Sequence, residues 1–68
     1  MAFLKVASLG GEIKEYFVAD NTPLLSYLRS QGHSTEGVKV ELNSVVADEA
    51  TAVTTDGVAV LTSAVKGG

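Results

Sequence analysis

Gly10-Gly11 divides two runs of strand-forming residues, Phe3–Leu9 and Glu12–Ala19, so early in the chain that everything after them must be built onto a hairpin. Two glycines can supply the positive φ angles that a tight primed turn requires. The spacing therefore predicts an antiparallel pair. Lys5, Lys14 and Glu15 fall on its wet face or edge, where charge discourages edge-to-edge association.

The next element opens at Asp20-Asn21-Thr22-Pro23. Thr22 is placed to cap a helix through its hydroxyl, and Pro23 at the first helical position sacrifices no needed hydrogen bond. Leu24, Leu25 and Leu28 form one stripe with Tyr27 at its border, and Ser26, Arg29 and Ser30 face water. Gly32 suits the left-handed position after the C-terminus, which predicts a helix over residues 23–31. A helix this short is held only by packing its leucines on a sheet. Val38-Lys39-Val40-Glu41-Leu42 alternates strictly, as a half-buried strand does, with Val38, Val40 and Leu42 inward. Asn43-Ser44 reads as a turn and Val45-Val46 as a short returning strand. In residues 47–55, Asp48, Glu49 and Ala50 favour a helical turn while Thr51, Val53, Thr54 and Thr55 oppose it, so the segment reads as irregular. Asp56-Gly57 is a turn signal, and Val58–Val65 follows as the last strand.

A helix after a hairpin has to cross the sheet, and a right-handed crossover predicts a parallel pairing with the next strand. The expected architecture is α+β: a roll of the β-grasp, or ubiquitin-like, kind, with a mixed sheet of four to five strands and one helix packed on one face. Residues 1–68 are expected to form a single domain with a flexible tail at 66–68. The chain has 68 residues, no cysteine and one histidine, so it has neither disulfides nor a zinc-finger ligand set to supplement a small core. Its apolar residues are mostly Ala and Val, which makes that core thin and a deep enclosed active site unexpected.

A formal charge of −3, a pI near 4.8 and a single arginine give no cationic stripe, so nucleic acid is not an expected partner. No apolar run approaches the roughly 20 residues that span a bilayer, and no signal peptide is evident. The expected location is cytoplasmic, away from membranes. Glu36, Glu41, Asp48, Glu49 and Asp56 cluster in sequence against Lys39 alone, which reads as a solvated acidic face or, more sharply, as a docking face for a basic partner.

Catalytic patterns are nearly empty. His33 reads as an exposed loop or C-cap residue, and Ser34 and Thr35 beside it lack an orienting third group. Asp48-Glu49 are adjacent carboxylates that point to different sides of any regular backbone. Gly10-Gly11 lacks the lysine and following helix of a phosphate-binding loop. Tyr16, Phe17 and Tyr27 read first as packing residues; on an open sheet face they would mark a binding patch. No catalytic, metal or cofactor residue is expected.

The carboxyl end is more specific. Lys66-Gly67-Gly68 follows a strong strand, and two glycines without side chains can enter a narrow channel in another protein. There the terminal carboxylate could attack a nucleotide α-phosphate and become an acyl adenylate.

The element order, Val38–Val46, Asp56-Gly57-Val58-Ala59-Val60-Leu61 and the final Val65-Lys66-Gly67-Gly68 together resemble the ThiS/MoaD family of ubiquitin-like sulfur carriers over essentially the whole chain. The resemblance implies that Gly68 is adenylated by an E1-like, ATP-dependent enzyme and converted to a thiocarboxylate, while Gly67 threads the partner's channel. It also implies a downstream sulfur acceptor or synthase in cofactor biosynthesis of the thiamin or molybdopterin type. The chain would then be a protein co-substrate and not itself an enzyme. It departs from the family at three points: Ser44 stands where the turn usually has Gly, Val58 where the DGD turn has its second Asp, and Thr54 where an aliphatic residue is usual, a contact Val53 could supply instead. A ubiquitin-like protein modifier and a non-catalytic β-grasp interaction module are the alternatives.

Overall fold

The structure, a computed structural model, describes residues 1–64. β1 (Ala2–Ala7) and β2 (Ile13–Val18) form the expected hairpin, in a continuous register from Ala2 opposite Val18 to Ala7 opposite Ile13. Only Gly11 of the glycine pair takes a positive φ, +83°, so the connection is a three-residue loop over residues 9–11 and not the primed turn expected of two glycines. Gly11 closes it by donating to the Ser8 carbonyl (3.0 Å), and the Ser8 amide donates across to Glu12 (2.8 Å).

The chain continues through β3 (Thr22–Pro23), α1 (Leu24–Ser30), β4 (Val38–Leu42), β5 (Val45–Val46), β6 (Ala52–Val53) and β7 (Gly57–Ser63). One mixed sheet has the order β2-β1-β7-β4-β5, and β3 pairs with β6 in a second, two-stranded ladder. α1 covers one face of the larger sheet. The core between them consists of Ala2, Leu4, Val6, Val18, Leu24, Leu28, Val40, Val53, Ala59 and Leu61. Among the described residues no polar side chain is buried, and every aromatic ring lies outside that fully buried set. Leu25 and Tyr27 pack half-buried against it, as do Val38 and Leu42.

Several expectations are corrected. Thr22 does not cap the helix, because its hydroxyl donates to the Ala19 carbonyl. Pro23, at φ −61° and ψ 124°, is the N-cap and precedes the first helical residue. The start of the helix is held instead by the neighbouring segment, where the Leu24 amide donates to Thr51 (3.0 Å) and Asn21 to Val53 (2.9 Å). Residues 47–55 are therefore not wholly irregular: Ala52-Val53 pair antiparallel with Thr22-Pro23, and Val53 is completely buried while Thr54 is exposed.

A further correction concerns the parallel pair. It is formed by the first and last strands, β1 and β7, with Leu4 opposite Gly57. β4 lies antiparallel to β7, so the crossover from β2 carries the chain past two strands before it re-enters the sheet. The last strand ends at Ser63, two residues earlier than Val65, which lies outside the described residues.

The helix ends as its sequence indicates. Gly32 (φ +89°) donates to Arg29 (3.0 Å) and His33 to Leu28 (2.9 Å), the paired bonds of a Schellman motif. The β4–β5 turn has positive φ at both Asn43 (51°) and Ser44 (71°), the conformation of a type I′ turn. No helix among the described residues is long and apolar enough to cross a membrane.

Candidate functional site

β7 leads to the sequence-expected site. It lies between β1, which it pairs with at Gly57–Val60, and β4, which it pairs with at Ala59–Ser63. Its start is held by side chains. The Asp56 carboxylate accepts the Phe3 amide (2.8 Å), and the Asn43 side-chain oxygen accepts the Val58 amide (2.9 Å). Beyond Ser63, the Ala64 amide donates to Gly37 (3.0 Å). Gly67 and Gly68, with Lys66, lie outside the described residues.

The sheet face opposite the helix has no covering element among the described residues. Strand alternation settles which side chains it carries: with Ala2, Leu4 and Val6 turned to the core, Phe3, Lys5 and Ala7 point the other way. Through the registers, Ile13, Glu15 and Phe17 join them from β2, Val58 and Val60 from β7, Glu41 from β4 and Val46 from β5. Phe17 is 69% exposed, Val46 62% and Ile13 60%. The Phe3 and Phe17 rings lie 5.3 Å apart, tilted by 60°. Charge crosses this apolar surface in two places: Glu15 beside Lys5, and Lys39 with its ammonium 3.6 Å from Glu41.

Phe17 thus falls on the open face, the placement that marks a binding patch, while Tyr16 and Tyr27 turn to the helix side and meet edge-on at 5.5 Å. The alternation in Ile13–Val18 carried this division, since odd and even positions must part company across a strand.

The candidate acidic face is divided among local tasks. Asp56 holds Phe3, Glu41 faces Lys39, and Asp48 accepts the Ala50 amide (2.9 Å) within its own loop. Glu49 receives both terminal nitrogens of Arg29. That hydrogen bonding holds the Glu49 carboxyl below the usual carboxylate range, with a smaller contribution from the charge of the guanidinium, and it raises Arg29. Arg29 also donates from Nε to Thr35 (2.7 Å), so one side chain ties the helix to two loops.

His33 is half-buried. Its Nε2 shares a 3.0 Å hydrogen bond with the Tyr16 hydroxyl. Ser34 and Thr35 make no bond to the ring. This contact joins residues seventeen positions apart and has no local signature in the sequence. Among the described residues there is no pocket and no cluster of metal-ligating side chains.

No family model matches the chain, and no curated protein matches it. The described residues define a small α+β domain with a mixed five-stranded sheet, one helix, and a sheet face that no element among them covers.

Proposed function

We propose that this chain is a sulfur-carrier protein of β-grasp fold, acting through the carboxylate of Gly68 as co-substrate of an ATP-dependent activating enzyme. Support for the fold comes from the sheet order: the first and last strands run parallel at the centre, the hairpin strand lies on one edge, and a single helix covers one face. The observation that carries the function is the position of β7. The strand that runs into Val65-Lys66-Gly67-Gly68 is a central one, paired on both sides, and presents Val58 and Val60 on the open apolar face.

A partner that covers this face gains affinity from Phe17, Ile13, Val58 and Val60, and the same docking delivers the glycines to its active site. There a Gly68 carboxylate oxygen attacks the α-phosphorus of ATP, and pyrophosphate leaves. A persulfide of the partner then attacks the acyl carbon and AMP leaves, giving an acyl disulfide; a partner thiolate attacks the donor-side sulfur, so that the S–S bond breaks, a disulfide forms on the donor side and the thiocarboxylate leaves. Gly67 contributes by having no side chain to obstruct the channel.

The test compares the full chain with one ending at Lys66 in pyrophosphate release driven by ATP and the host's activating fraction. Release with the full chain and none with the shortened one is expected. Equal release from both overturns the proposal, and conjugates that resist reducing agent assign the tail to protein modification instead.

A further inference from the structure

β2 forms one outer edge of the five-stranded sheet. It is six residues long, contains no proline, and pairs with β1 without a bulge; the opposite edge, β5, has only two residues. The Ser8–Glu12 hydrogen bond sets the phase of the hairpin ladder. Since directly bonded pairs alternate with unbonded ones, Lys14, Tyr16 and Val18 turn their main-chain groups toward β1, and Ile13, Glu15 and Phe17 turn theirs outward. Those outward groups have no partner among the described residues. A row of this kind is a template for one more strand.

The same three residues carry side chains on the open face, so the edge presents apolar, acidic and apolar positions in step with its free donors and acceptors. We propose that the β2 edge captures an extended segment of a partner protein as an added antiparallel strand, with apolar residues opposite Ile13 and Phe17 and a lysine or arginine opposite Glu15. Lys5 neighbours Glu15 on its inner side only, which leaves the outer side open to a cation. A second copy of the chain fits less well. Antiparallel self-pairing centred on Glu15 opposes two carboxylates, and pairing centred on Lys14 opposes two ammonium groups. Centred on Tyr16, it sets each Glu15 against Phe17. None of these registers gives Glu15 an opposite charge, and like charges directly across a ladder destabilise it.

The probe is a capped heptapeptide with valine at its second and sixth positions, lysine at the fourth and threonine elsewhere, added to the full chain and followed by amide hydrogen exchange. Exchange is expected to slow at Ile13, Glu15 and Phe17. A peptide with glutamate at the fourth position is expected to bind about fivefold more weakly, and Glu15→Gln to remove most of that difference. N-methylation of the lysine nitrogen in the peptide backbone should abolish binding, whereas N-methylation of the third residue should not. The proposal is overturned if those three amides are unaffected at millimolar peptide, or if the lysine N-methyl peptide binds equally well through the apolar face alone. It is also overturned if the free protein already dimerises with the three amides protected. The measurement involves neither ATP nor the terminal glycines, so its failure leaves the tail chemistry untouched.

Discussion

Ser44 and Gly57 show how single residues set the geometry around β7. Ser44 sits at φ 71°, a conformation that costs an L-residue roughly 1 kcal/mol or more. Ser44→Gly is expected to stabilise the protein by about 0.5 to 1 kcal/mol, less than the full relief because glycine loses more freedom on folding. The urea midpoint checks this, and an unchanged or lower midpoint contradicts it. At Gly57 the constraint is space. A Cβ there would lie 2.9 Å from the Asn43 side-chain nitrogen and 3.1 Å from its oxygen. Gly57→Ala must push aside the side chain that accepts the Val58 amide, with an expected loss of about 1 to 3 kcal/mol. Thermal unfolding measures the loss, and a variant as stable as the parent would show that Asn43 moves freely.

The helix depends on its neighbours at both ends. Its N-terminus is held by the Thr51 carbonyl and the β3–β6 ladder, and its C-terminus by the Schellman bonds and the link from Arg29 to Glu49. Because the folded state holds the Glu49 carboxyl low, the link's contribution is present above the unfolded value of about 4.3 and is lost as pH falls through the lower, folded value. The parent is therefore expected to be more stable than Glu49→Gln at neutral pH, with the gap closing in acid and shrinking in high salt because both groups are exposed. A gap independent of pH would contradict this. The local signals were good guides where the partner is local: the leucine stripe, Gly32, the alternation of residues 38–42 and the Asn43-Ser44 turn all predict what is observed. They misled at Thr22, whose cap pattern is indistinguishable in sequence from a hydroxyl bonded back to Ala19. Ala52-Val53 was illegible as a strand because its partner, Thr22-Pro23, is distant in sequence and each supplies only two residues.

Across the whole molecule, the mixed sheet and its helix were legible, but the identity of the parallel pair was not. Adjacent elements suggest adjacent strands, whereas here the first and last strands pair at the centre of the sheet. Burying the fully apolar Leu4, Val6, Ala59 and Leu61 there favours that exchange. Within the candidate site, Phe17, expected first as a packing residue, lies on the open face instead, because alternation in β2 separates odd from even positions without saying which side meets the core, while Gly67 and Gly68 carry their signal in sequence alone. The most direct measurement is the mass of the protein recovered from its own host under non-oxidising conditions, with fragmentation of the C-terminal peptide. Exchange of one carboxylate oxygen for sulfur on Gly68 is the expected result, distinguished by position from oxidation of Met1, which adds nearly the same mass. A Gly68 carboxyl found only as an unmodified acid, or joined to lysine in branched conjugates, would contradict the sulfur-carrier assignment.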